Sequence, residues 1–184
     1  MNQNTVKISK FLSLVLRHQP ETIGIALDPA GWVEVSALLE AMRRHGRGIS
    51  EAELREVVET NDKKRFSFSD DGLRIRASQG HSVEVELGYE PAVPPEVLFH
   101  GTVERVLDSI RTAGLLKGDR HHVHLSSDRQ TAEKVSQRRG RPVILRILAG
   151  QMHRDGFAFF LSANGVWLTD HVPTEYVDFE GNKP

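Results

Sequence analysis

Cysteine is missing from all 184 residues, which excludes disulfides, thiolate nucleophiles and zinc–thiolate centres. No apolar run approaches the length needed to span a bilayer, and the chain opens on polar residues, Met1-Asn2-Gln3-Asn4-Thr5. A cytoplasmic protein without a membrane anchor is therefore expected. An excess of one charge is lacking too. The net charge is −1, with 12 basic against 14 acidic residues in 1–90 and 12 against 11 in 91–184. A protein that coats nucleic acid non-specifically would be far more basic, so any such contact is expected in a local basic pocket. Neither a Gly-x-Gly-x-x-Gly turn nor a P-loop occurs, so a nucleotide would have to be held in some other way. Apolar and charged shares of 39% and 27% are those of an ordinary globular chain, long enough for one large domain or two small ones.

Ile8, Phe11, Leu12, Val15 and Leu16 repeat at helical spacing, with Asn4 or Thr5 expected as cap and Pro20 as the stop. Arg17 and His18 then leave the last turn, where a helix dipole favours cations. A short strand is expected over 25–27, then a turn at Asp28-Pro29-Ala30-Gly31. Ser36 is expected to cap a second helix that turns Leu38, Leu39 and Met42 inward and stops at Gly46. Ser50 and Glu53 have capping-box spacing for a third helix to about Glu59. A hairpin follows, Arg65-Phe66-Ser67-Phe68-Ser69 and Leu73-Arg74-Ile75-Arg76-Ala77 about Asp70-Asp71-Gly72. Phe66, Phe68, Leu73 and Ile75 are expected to face the helices, with Arg65, Arg74 and Arg76 on the other face. Helix, short strand, two helices and a hairpin suggest a winged-helix lobe over 1–88.

Three of the eight prolines lie within 88–96, so 89–96 reads as a stiff linker. Period-2 patterning dominates 97–184: strands over 97–100, 122–125, 143–148, 157–161, 166–168 and 176–179, with few helices. Thr102 is expected to cap a helix bearing Val103, Val106, Leu107 and Ile110, and a polar helix is expected over 129–138. The turn Ser162-Ala163-Asn164-Gly165 reads as a type I′ hairpin. The tail after Phe179 is expected to be unstructured. The whole is an α+β protein without Rossmann alternation.

Gly118-Asp119-Arg120-His121-His122-Val123-His124-Leu125-Ser126 packs one arginine and three histidines into nine residues. Alternation from His122 puts imidazoles on one strand face, and Arg120 lies in the loop before it. A His-x-His metal site is weakened by the lack of cysteine and of suitably spaced acids. Arg17, His18, Arg65 and Arg120 would form a dianion site if they met, because guanidinium groups match phosphate oxygens and histidine exchanges protons near neutral pH.

These stretches together resemble the RNA 2′-phosphotransferase family. The likeness rests on Ser9-Lys10-Phe11-Leu12-Ser13-Leu14-Val15-Leu16-Arg17-His18, Lys64-Arg65-Phe66, Arg76-Ala77-Ser78-Gln79-Gly80-His81-Ser82, Leu98-Phe99-His100-Gly101-Thr102 and the 118–126 stretch. It implies a winged-helix RNA lobe followed by an ADP-ribosyltransferase-like lobe over 97–184 that binds NAD as co-substrate. By motif it places the phosphate-handling tetrad on Arg17, His18, Arg65 and Arg120, with the reaction in a cleft between the lobes. It places the NAD pocket at His100, Gly101, Thr102 and Ser126. The implied substrate is a tRNA-like RNA with an internal 2′-phosphate, met in RNA splicing and repair, acted on by a monomer without metal. In the implied reaction the phosphate attacks the nicotinamide ribose. The ribose 2″-hydroxyl then attacks phosphorus, leaving 2′-hydroxyl RNA and ADP-ribose 1″,2″-cyclic phosphate.

Two other classes compete. A winged-helix DNA-binding regulator would use Ser50–Glu59 as recognition helix, but Glu51, Glu53, Glu56 and Glu59 suit it poorly to phosphates. An ADP-ribosyltransferase acting on protein or on terminal nucleic-acid phosphates commonly needs a catalytic glutamate, and none stands at a matching motif. His121, His122 and His124 fit structural or cofactor-lining roles better than metal ligation. Arg138 and Arg139 read as part of a solvated face.

Overall fold

The computed structural model describes residues 3–137 and 141–179. The chain divides into two compact units after Gly88. The α+β class expected from the sequence is what the chain adopts.

In the first unit, helix α1 (Gln3–Val15) precedes a 3-10 turn at Pro20–Ile23, strand β1 (Val33–Glu34) and helix α2 (Val35–Arg44). Helix α3 (Glu51–Glu59) and strands β2 (Phe66–Phe68) and β3 (Arg74–Ala77) complete it. The strands form an antiparallel sheet in the order β1-β3-β2. Leu12, Leu16, Leu38, Leu54 and Ile75 are fully buried between sheet and helices, each contributing about 1.5–3 kcal/mol. The expected capping box forms, since the Glu53 amide donates to Ser50 Oγ (3.2 Å) and the Ser50 amide to Glu53 Oε2 (2.8 Å).

Several local expectations fail. No strand forms at 25–27; the pairing strand is β1, whose Val33 sits opposite Ile75. Asn4 and Thr5 lie inside α1, and α2 starts at Val35, so Ser36 is not its cap. Leu73 is 62% exposed because it sits at the end of the hairpin turn rather than in the ladder.

The second unit contains β4 (Leu98–Val103), α4 (Leu107–Ala113), β5 (Leu115–Leu116), β6 (Val123–Leu125) and α5 (Arg129–Ser136). It continues with β7 (Pro142–Ile147), α6 (Ala149–Arg154), β8 (Phe160–Leu161), β9 (Trp167–Thr169), β10 (His171–Val172) and β11 (Val177–Asp178). The ladders are β11-β7-β4, β6-β9-β8 and β10-β5. A single bridge, Phe99 with Ser126, links the first two. Leu98, Ile147, Met152 and Phe159 fill the core between them.

Thr102 belongs to β4, and a 3-10 turn separates that strand from α4, so Thr102 is not a helix cap. Leu161 pairs with Trp167, leaving a five-residue loop in place of a type I′ turn. It is closed by Gly165 N–H to the Ser162 carbonyl (2.9 Å). Helix α6 was not foreseen, because its six residues are too few to show a period. Residues 89–96, expected as a linker, are tied to this unit. Ala92 N–H donates to the Phe159 carbonyl (2.8 Å), and Arg154 grips Glu96 at 2.7 and 3.1 Å. The end of the helix expected to reach Arg138, the Arg138–Arg139 face and the tail beyond Phe179 lie outside the described residues.

Candidate active site

In the first unit three of the predicted residues converge. Proline at position 20 has no amide to extend α1, and the helix closes in a wide turn, His18 and Gln19 both donating to the Leu14 carbonyl at 2.9 Å. Arg17 is left half-buried and His18 exposed. The loop after β3 packs beneath them. Ser82 and Val83 donate their amides to the Arg17 carbonyl (2.9 and 3.2 Å). Ser82 Oγ lies 2.9 Å from His18 Nδ1. Arg17 Nη2 donates to the Arg65 carbonyl at 3.3 Å, and the Ser78 amide donates to the same oxygen at 2.9 Å. Gly80 adopts φ +85°, and a Cβ there would sit 3.6 Å from Arg17 Nη1. The positive φ is what calls for glycine, since a Cβ would make only an ordinary contact with the guanidinium.

Arg65 is aimed by its neighbours. Lys64 takes a positive φ of 41°, its carbonyl accepts from Ser78 Oγ (3.0 Å), and its amide donates to the Asn61 carbonyl (2.8 Å). Asn61 is 3% exposed, and its Nδ2 donates to Ser9 Oγ at 2.9 Å. Helix α1 therefore positions Arg17 and His18 directly and Arg65 through Ser9 and Asn61. Sequence reasoning did not assign Ser9, Asn61, Ser78 or Ser82. A serine on the buried face of α1 was the one available signal. His81, part of the motif after β3, is 2% exposed, and a Cβ on Gly31 would lie 3.5 Å from its Nε2, so it is part of this unit's interior.

In the second unit Arg120, His124, His100 and Ser126 assemble where β4 meets β6. Arg120 Nη1 lies 2.7 Å from His124 Nδ1. Arginine only donates, so that nitrogen carries a lone pair and His124 is neutral in this contact. His100 Nδ1 lies 3.0 Å from the His124 carbonyl. A carbonyl only accepts, so His100 carries its proton on Nδ1, and in the neutral ring Nε2 is the acceptor. Ser126 exchanges two 2.8 Å backbone bonds with Phe99. His100 and Thr102 share one face of β4 by strand alternation.

Gly101 points the other way. A Cβ there would overlap the Ala132 carbonyl of α5, so the close approach it permits is made by a helix of the protein itself. Its placement in the NAD pocket by motif meets this competing packing reason.

His122 stacks edge-on against Tyr89 and Phe160, with centroids 6.2 and 5.6 Å away. Burial, with the nearby His121 and Lys117, lowers its pKa and favours the neutral ring. Lys117 bonds Asp170 at 2.5 Å and anchors the start of the loop bearing Arg120. Among the described residues no three His, Asp or Glu side chains gather as metal ligands. None of the described helices is long and apolar enough to cross a membrane.

Residues 3–171 match the family model described as RNA 2′-phosphotransferase, Tpt1 / KptA family. A protein of Streptomyces coelicolor named a probable RNA 2′-phosphotransferase is 56% identical over 177 residues, 96% of each chain. Relatives of the same name from Flavobacterium johnsoniae and Pseudomonas aeruginosa are 54% and 56% identical. The first covers 98% of this chain and 100% of its own, the second 92% and 93%.

Proposed function

The chain belongs to the RNA 2′-phosphotransferase family, and we propose that it moves an internal RNA 2′-phosphate onto NAD. On this reading the first unit is a winged-helix RNA lobe and the second an ADP-ribosyltransferase-like lobe. The proposed phosphate-handling residues are Arg17, His18 and Arg65 of the first unit and Arg120 of the second. The observation that carries the reading is the Arg17–Arg65 contact, 3.3 Å to the carbonyl, with His18 held beside it by Ser82.

NAD is the second substrate; it supplies an electrophilic ribose carbon and nicotinamide as a neutral leaving group. The donor set suits it: His100 presents Nε2 as an acceptor for a ribose hydroxyl, with Thr102 on the same strand face and Ser126 next to the Phe99 bridge. First, a 2′-phosphate oxygen bonds to that ribose carbon as the bond to nicotinamide breaks, giving an RNA-2′-phospho-ADP-ribose. Next, the ribose 2″-hydroxyl bonds to phosphorus and the bond to the RNA 2′-oxygen breaks. The RNA oxygen takes up a proton and the hydroxyl loses one; His18 is the proposed donor to the RNA oxygen. The arginines hold the phosphate charge in both steps, the task magnesium performs in many phosphoryl transfers.

The test is incubation of the protein with NAD and an oligonucleotide carrying an internal 2′-phosphate, with and without EDTA. Loss of the phosphate, with nicotinamide released and no effect of EDTA, is the expected result. No transfer with NAD present refutes the reading. Transfer abolished by EDTA and restored by added metal refutes its metal-free part.

A further inference from the structure

Strands β2 and β3 send Phe66, Phe68, Ile75 and Ala77 towards the helices, so Ser67, Ser69, Arg74 and Arg76 line the opposite face. Trp32 joins them. The Asp28 side chain accepts the Ala30 and Trp32 amides (2.9 and 2.8 Å) and fixes the loop that carries the ring. The guanidinium carbon of Arg76 lies 4.4 Å from the indole centroid, and that of Arg74 lies 5.6 Å away. Arg76 Nη1 also bonds the Ala30 carbonyl at 3.3 Å. These side chains line a groove of about 490 Å³. Nothing in the phosphate site uses them.

We propose that this groove seats one single-stranded RNA nucleotide next to the 2′-phosphorylated one, its base extending the Trp32–Arg76 stack and its phosphate meeting Arg74 and Arg76. The proposal rests on the reading of the chain as an enzyme acting on RNA. A flat aromatic ring with two cations matches a nucleotide's base and phosphate together. The groove also lies on the sheet face that leads towards Arg65. Ser78 N–H to the Arg65 carbonyl (2.9 Å) extends the β2–β3 ladder. Alternation then puts Arg65 on the same face as Ser67, two residues or about 7 Å further along. Carboxylates set the direction. Asp70 and Asp71 close the hairpin end of the groove. Asp71 Oδ1 is engaged by the Leu73 amide (3.0 Å) and by Ser69 Oγ (2.6 Å). Phosphates are repelled there and drawn towards Arg65. A duplex keeps its bases stacked internally, so the groove selects single strands.

The test measures binding of a fluorescein-labelled single-stranded RNA without 2′-phosphate to the full chain by anisotropy, without NAD. Trp32→Ala should weaken binding roughly tenfold and Trp32→Phe much less. Arg76→Gln should lower the slope of log K against log salt by roughly 0.7. Ser67→Glu, on the solvent face and away from the core, should also weaken binding roughly tenfold by repelling phosphate. It keeps the test decisive if Trp32→Ala does not fold. A duplex of the same sequence should bind more weakly and ignore Trp32→Ala. Wild-type affinity in folded Ser67→Glu and Arg76→Gln proteins overturns the platform, even if the wild-type enzyme removes 2′-phosphates. Preference for duplex overturns it too. Variant-sensitive single-strand binding by a chain that transfers no phosphate supports the platform while refuting the catalytic reading.

Discussion

The two units set their polar groups by opposite means. In the first, candidate catalytic side chains project from loops and are aimed by backbone carbonyls, as when Arg17 binds the Arg65 carbonyl and Ser78 secures the Lys64 and Arg65 carbonyls. In the second, His100 and His124 lie on ladder strands, and His124 turns the loop residue Arg120 by a side-chain bond. Where a loop residue is held through its own backbone, as Arg65 is by the Ser78 amide, its side chain can be removed with little loss of fold. Strand-held groups share their ladder with the core, so their neighbours report on stability first.

The largest effect expected from this contrast is on Arg65. Its carbonyl, not its guanidinium, is the acceptor in the bonds to Arg17 and Ser78. Arg65→Ala should therefore cut phosphate removal by about 10²–10³ while leaving the thermal midpoint near wild type. Expelling an alkoxide from phosphorus needs more help than losing nicotinamide. RNA-2′-phospho-ADP-ribose should accumulate on a gel in this variant and in His18→Ala. A large fall in the midpoint would show that the two ways of holding side chains are not distinct.

Gly101→Ala should act in the reverse sense. The added Cβ meets the Ala132 carbonyl, and overpacking of this kind costs about 1–3 kcal/mol. Urea titration should show the loss, and NAD affinity should fall with it as β4 shifts against α5. An unchanged midpoint would mean that α5 yields easily and that the glycine is needed for something else.

Ser82→Ala removes one hydroxyl from His18 but keeps the Ser82 amide on the Arg17 carbonyl. A hydrogen bond of this kind is worth about 1 kcal/mol, so turnover should fall roughly fivefold. The thermal midpoint should stay near wild type while kcat falls, which a purely structural serine would not cause.

The smallest effect belongs to His122. Its folded pKa lies below its unfolded value, chiefly through burial. The unfolded chain therefore takes up the proton first, and stability present above about pH 6.5 is lost as pH falls below it. Urea midpoints should drop between pH 7.5 and 5.5 in wild type and drop less in His122→Phe. Equal drops in both proteins would assign the acid sensitivity elsewhere.

The legible parts of the chain were those with a local cause. Ser50 and Glu53 announce a helix start by reciprocal bonds within one turn, and Phe66, Phe68 and Ile75 announce an inward strand face by alternation. Ser36 misled because helix α2 begins where β1 ends, and its start is set by pairing with β3 rather than by a cap. Thr102 misled for the same kind of reason: β7 holds it in strand geometry through Val143. Arg17, His18, Arg65 and Arg120 stood out as charges and as family motifs, but nothing local says which groups aim them.

The sequence by itself determined the α+β class, the helix starts with side-chain caps, the alternating faces and the family, since each depends on residues within a few positions or on motif order. Only the tertiary structure decided that Asn61 reaches Ser9 across 52 positions, that Ser82 meets His18 across 64, and that Gly101 faces a helix. Those partners are brought together by burial of the cores, which is non-directional and long-range, and a hydrogen bond across such a distance leaves no periodic mark in the chain.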